Sequence, residues 1–437
     1  MPLLPYFSWI NSVRFTALLS KYWFIAFTLL PTISLADAPS NTSLSLKEAI
    51  ALTLSSNPEL KALPFKQQAL EGEKHQISLR PPLHLGVEFE NFAGSGKSQG
   101  IDALESTITL GSVLELGNKR GLRLNAIDSK MAAAQMQRQA DALDILGGLT
   151  VLFIQTLKTQ ESILITQEEQ ALARKSVAIV KRKAREGAAA EIDIQRANVA
   201  LARTNIQLDA LISQLHQQFK QLSQFWGEPT AHYKRLIGEL YAEPEIIEFE
   251  TLLKHVRQSP HAQQLALERR IKDTQYQLAL AQGRSDIGWN VGFKHFNETG
   301  DTALVAGIST SLNQRQRTQG HITIASAEQQ RHSKAQKHAL QTLETQLFVA
   351  HSQRNHHAKA MRIISETIIP ALSETLSLSQ QAYENGRYSY FDWSMAQQGL
   401  FEAKHRLLEH ASTLRISQAL IEQLTGEPFA PTLNTPI

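Results

Sequence analysis

The sequence predicts a mainly α-helical protein with a small β-barrel, made of long coiled-coil helices and four short membrane strands per chain. Three observations predict it. Proline-free stretches run far beyond the length of a globular helix, four segments of about ten residues alternate in polarity, and the order of elements is written twice.

The 437 residues are 42% hydrophobic and 19% charged, with 15 prolines, which is the composition of a folded chain able to bury a large core. A net charge of +3, with no basic stripe interleaved with aromatics, argues against a nucleic-acid partner. There is no cysteine, so disulfides, thiolate metal sites, thiol nucleophiles and a lipidated N-terminal cysteine are excluded. Residues 1–38 read as an export signal: Arg14 and Lys21 precede an apolar run from Tyr22 to Leu30, Pro31 breaks it, and Ser34, Ala36 and Ala38 follow, with cleavage after Ala36 or Ala38. The alternative, a membrane anchor, would need about 20 apolar residues. No later segment is expected to come near that length, so a spanning structure should be built from strands.

The repeat has a period of about 200 residues. LKEAIALTLSSNPEL (46–60) is answered by IEFETLLKHVRQSPHAQQL (247–265), with Pro58 matching Pro260. At a constant offset of 199, Gly187 matches Gly386, Asp193 matches Asp392, Leu201 matches Leu400 and Gly227-Glu228-Pro229 matches Gly426-Glu427-Pro428. Two units follow, 39–230 and 231–437. Each is expected to run short helix, longer helix ending near Arg80 or Gly283, two strands, and a very long helix broken only at Gly187 or Gly386.

From Lys119 to Arg185 a continuous helix would reach about 100 Å. Leu201, Leu208, Leu215 and Leu222 lie seven apart, with Asn205, Ile212, Phe219 and Trp226 at the alternate positions, and Leu400, Leu407, Leu414 and Ile421 repeat the spacing. On helices alone, a periplasmic coiled-coil scaffold without a pore explains the pattern equally well.

The strands separate the two. In 83–92, Leu83, Leu85, Val87 and Phe89 alternate with His84, Gly86, Glu88 and Glu90; in 104–114, Leu104, Ile108 and Leu110 share a side. In 287–296, Ile287, Trp289, Val291 and Phe293 alternate with Gly288, Asn290, Gly292 and Lys294, and Leu304, Ala306, Ile308 and Leu312 mark 303–312. Such lengths cross a bilayer at a tilt. Half-buried soluble sheets alternate in the same way, but isolated hairpins between very long helices have no core to cover. Eight strands from two chains would fill their own interior, so an open duct needs three copies: a homotrimer with a barrel of about twelve strands, lipid outside and water inside.

VEFENF (87–92), LELGNKRG (114–121), DTALVAGIS (301–309) and RTQG (317–320) carry a resemblance to the outer-membrane efflux protein family, TolC-like, and within it to the cation-efflux, CzcC-like branch. The resemblance covers nearly the whole mature chain. It implies a TolC-like tandem-repeat fold and a non-enzymatic role. The chain would be an outer-membrane channel subunit of a tripartite efflux system, a passive exit duct for heavy-metal cations with its helices in the periplasm, working with a periplasmic adaptor and an inner-membrane pump. Drugs or secreted polypeptides are the alternative cargo. The resemblance also implies that AREGAAAEID (184–193) and YENGRYSYFD (383–392) are the tips that meet the adaptor, with Arg185, Gly187, Asp193, Gly386, Arg387, Tyr388 and Asp392 as docking or gating positions. Arg185, Glu186, Glu191, Arg387, Tyr388 and Asp392 are candidate latches. The glycines also suit tight reversals, and the aspartates suit helix starts. The exit SLNQRQRTQG (311–320) departs from the proline-rich text of that branch, and the missing cysteine separates the chain from its lipoprotein members.

No phosphate-binding loop, dinucleotide fingerprint, HExxH helix or nucleophile elbow is present, so no catalytic residue and no cofactor are expected. Among the 15 histidines, His332 and His338, His351 and His356, and His405 and His410 stand five or six apart, and no pair has the three or four spacing that shares a helical face. They read as solvated polar positions, with no metal site.

Overall fold

A computed structural model describes residues 43–230, 233–243 and 247–427; the expected signal segment, 1–38, lies outside the described residues. The chain opens with β1 (Ser43–Ser45), α1 (Leu46–Ser56), α2 (Pro58–Ser78), β2 (His84–Glu90), β3 (Glu105–Leu114), α3 (Lys119–Arg185) and α4 (Glu191–Gln224). It continues with β4 (Arg235–Ile237), α5 (Phe249–Gln258), α6 (Pro260–Gln282), β5 (Ile287–Phe296), β6 (Thr302–Thr310), α7 (Gln314–Ile363), α8 (Ile369–Glu384) and α9 (Tyr390–Thr425). It is mainly helical, with its strands confined to two small sheets.

Local chemistry sets the boundaries. Ser45 and Glu48 form a capping box that starts α1. Pro58 and Pro260 occupy first-turn positions where a missing N–H costs nothing, behind Asn57 and Ser259, whose side chains accept from Leu60 and Ala262. α3 is one helix of 67 residues, and Arg182, Lys183 and Arg185 in its last turn suit the negative end of its dipole. Asn118 and Asn313 both take the left-handed conformation just before α3 and α7 (φ 57° and 63°), so the two strand-to-helix exits use the same device despite their different text.

Four expectations need correction. The strands at 83–92, 104–114 and 303–312 become β2, β3 and β6: residues 91, 92 and 104 belong to the hairpin loop, 83, 311 and 312 to the connections with the helices, and β6 starts one residue early at Thr302. The second long helix is interrupted before Gly386: Ile364–Ile368 form a π turn ahead of Pro370, whose absent N–H and crowding ring disrupt the α ladder. The seam through α4 is only half filled: Phe219, Leu222 and Trp226 are buried with Leu215 packed beside them, while Asn205 and Ile212 are exposed and Ala197 and Thr204 take the buried places nearer the tip. Finally, α3 does contain an apolar window long enough to pass as a membrane span by length and composition. Half of it is buried in the protein, where Leu149, Phe153, Ile154 and Leu157 enter the main core.

That core gathers the middle of α3, the end of α4, α1 and part of α9, with Trp226, Leu236 and Leu408 among its members. β1 pairs in parallel with β4 against it, Leu44 opposite Leu236. Gly147 lets α9 come close to α3: a Cβ there would strike the Gln423 side chain of α9.

Candidate functional site

β2, β3, β5 and β6 form one antiparallel sheet in that order. The register places Val87 opposite Ile108, Ile108 opposite Phe293, and Phe293 opposite Leu304. One face is therefore apolar from edge to edge, and it is exposed in the single chain, Ile308 at 83% and Leu85 at 72%. On the other face Lys294 pairs with Glu90 at 2.8 Å and with Glu105. Glycines 86, 111, 288, 292 and 307 share that polar face, and a Cβ at Gly292 would collide with the Ile108 carbonyl. Small residues on one side let a sheet curve toward it. Both outer strands, β2 and β6, have an unpaired edge within the chain.

The sheet is bolted to the helices beneath it. The ammonium of Lys119 donates to Asp286 Oδ1 at 2.7 Å and to the Arg284 carbonyl at 2.8 Å, and the Leu116 N–H donates to the same Asp286 oxygen at 2.9 Å. Arg123 grips Glu115 with two bonds of 2.8 Å.

At the other end of the long helices, Gly187 and Gly386 reverse the chain at φ 74° and 71°, in open space. Tyr383 stacks on Trp393 at 5.2 Å, Tyr390 meets both edge-on, and Ile179, Val180 and Ala197 of the first tip complete the cluster. The two tips thus share one core, and the Lys183 ammonium donates to the Glu384 carbonyl at 2.7 Å across it. Burial raises the Tyr383 and Tyr390 phenols, with Asp193 adding to both. Asp392 closes a capping box with Ser389, which holds its carboxyl below the usual range through the Ser389 hydroxyl and N–H. Asp193 instead sits 3.5 Å from Arg196, on a helix whose N-cap, Ala190, has no side chain to contribute. Arg185, Glu186, Glu191, Arg387 and Tyr388 are exposed, and among the described residues no side-chain bond joins them to one another.

Along single helices no two histidines stand three or four apart. The structure instead brings His356 and His357 of α7 to His410 of α9, with their nearest ring nitrogens all within 4.8 Å of one another. Burial and the neighbouring imidazoles push His357 and His410 below the ordinary histidine value. Only a pairing of α7 with α9 known in advance could have found this group.

Residues 49–228 match the model of the family described as outer membrane efflux protein. The cobalt-zinc-cadmium resistance protein CzcC of Cupriavidus metallidurans is 25% identical over 417 residues, which is 91% of this chain and 96% of that protein. Among solved structures, the outer-membrane channel OprN has a TM-score of 0.75 at 14% identity, covering 88% of this chain and 90% of its own. The outer membrane protein VceC from Vibrio cholerae has a TM-score of 0.73 at 16% identity, covering 88% and 97%. With the exposed apolar sheet at one end and paired helix reversals at the other, these likenesses assign residues 49–228 to the outer membrane efflux protein family and mark the chain as homologous to TolC-like channels of the outer membrane, with helices extending into the periplasm.

Proposed function

We propose that three copies of this chain form the exit duct of a tripartite efflux system that expels heavy-metal cations. One observation carries the reading: a sheet with two open edges, one apolar exposed face and one polar face lined with glycine. Lipid tolerates no unpaired edge, so the edges must meet those of other copies. Three sheets give a barrel of about twelve strands, the smallest arrangement that leaves a wet interior. The residues 39–230 and 231–437 are read as two copies of one unit, so that three chains place six helical hairpins around the duct.

Family members are trimeric channels that work with adaptor and pump proteins. For this chain we assign the adaptor contact to the tips, around Gly187, Asp193, Gly386 and Asp392. The shared aromatic cluster behind them supports the assignment, since it would make a tip move as one body. Arg185, Arg387 and Tyr388 project from it and suit contacts with another copy or with the adaptor; Asp392, engaged by Ser389, holds its helix start. The cation assignment rests on the likeness to a cobalt-zinc-cadmium resistance protein along nearly the whole chain. A null strain complemented by the gene should regain growth in zinc, cobalt or cadmium while its sensitivity to lipophilic drugs is unchanged. Restored drug resistance without metal resistance would overturn the cargo, and absence of conductance from the purified trimer in planar bilayers would overturn the duct.

A further inference from the structure

The His356, His357 and His410 group stands apart from the sheet and the tips. His357 Nδ1 lies 2.7 Å from His410 Nδ1, and the ring centroids of the three residues are 4.9 to 6.2 Å apart. Two imidazole nitrogens at that distance must share a proton, since two bare lone pairs would repel. We propose that these three histidines bind one divalent transition-metal ion, which takes the place of the shared proton and ties α7 to α9.

Three imidazoles select borderline ions such as zinc, cobalt, nickel or copper over magnesium and calcium, which take oxygen ligands. A tetrahedral zinc with bonds of about 2.0–2.1 Å needs ligand nitrogens about 3.3 Å apart. From 2.7 Å, the His357 and His410 rings must part by roughly 0.6 Å, and His356 must swing inward; both are side-chain motions. Three protein ligands leave the fourth position to solvent. The charges nearby are mixed. Glu409 lies beside His410 but is held by Lys158, and Arg406, one turn back, is held by Glu402 at 2.6 Å. The group lies seven residues before the π turn at Ile364, where the α ladder of the long helix is broken. A cross-link there would steady the helix next to its π turn. The site does not depend on which solute crosses the duct.

The test uses the full chain as a detergent-solubilised trimer, stripped with chelator and titrated with zinc chloride by calorimetry. The expected result is about one zinc per chain with micromolar affinity. A His357→Asn, His410→Asn double variant should weaken binding at least about tenfold, and a His338→Asn variant should leave it unchanged. X-ray absorption at the zinc edge of the wild-type trimer should show at least two imidazoles in the first shell. Should the double variant fail to trimerise, that spectrum and the single His356→Asn variant, expected to bind severalfold more weakly, decide the matter. No binding below about 1 mM, undiminished binding in a trimeric double variant, or a shell with fewer than two imidazoles would overturn the proposal.

Discussion

Lys119, the first residue of α3, and Asp286, just before β5, meet in an ion pair of 2.7 Å with only 7% of the lysine side chain exposed. The pair joins residues 167 positions apart at the seam between sheet and helices. Lys119→Met leaves Asp286 without its buried partner and is expected to destabilise the chain by about 3 kcal/mol. Lys74→Met, which breaks the exposed 2.8 Å pair with Asp128, should cost under about 1 kcal/mol. Thermal melts of the two variants, followed by circular dichroism, check this; equal shifts would mean that the junction adds nothing beyond an ordinary surface pair.

The two faces of the sheet should respond oppositely to charge. Ile308→Arg puts a cation on the apolar face and is expected to cost about 2–4 kcal/mol if that face meets lipid. Ala303→Glu puts an anion on the polar face, opposite Lys294, and should be tolerated. Outer-membrane yield and heat resistance of the trimer on gels read both. Normal assembly of Ile308→Arg would remove the case for a lipid-facing wall.

The tips carry unequal caps. Ser389→Ala removes the two hydroxyl bonds to Asp392, leaving the Ser389 N–H bond, and should loosen the start of α9 by about 1 kcal/mol, about fivefold faster amide exchange over residues 390–394. The folded Asp392 carboxyl is held below its unfolded value near 3.9, so the cap is at full strength above that pH and fades as pH falls through the lower, folded value. Exchange at the start of α9, corrected for intrinsic rate, should therefore be flat from neutrality to about pH 4 and rise below it. A matching rise at the start of α4, capped by Ala190, would point to general acid loosening instead.

Trp393 is fully buried where the two tips share a core. Trp393→Ala should cost about 3–5 kcal/mol locally, opening both reversals to protease while the sheet and the trimer persist. Cleavage confined to the second tip would show that the tips are held independently.

Local order was readable from the residues alone. The span of α3, the helix starts at Pro58 and Pro260 and the two-residue period of β5 need only backbone propensity and polarity pattern, which act over a few positions. What tertiary structure decided is which patterned surfaces face each other. β1 and β4, three residues each, carry too little pattern to be seen and exist because Leu44 and Leu236 enter a common core. The seam of α4 enters the core only at its far end, through Leu215, Phe219 and Leu222, whereas toward the tip Ala197 and Thr204 are its buried residues. His357 and His410 are 53 residues apart and meet because α7 packs on α9. Periodicity tells which side of an element is apolar; only the packed chain, by filling space without voids, selects its neighbour.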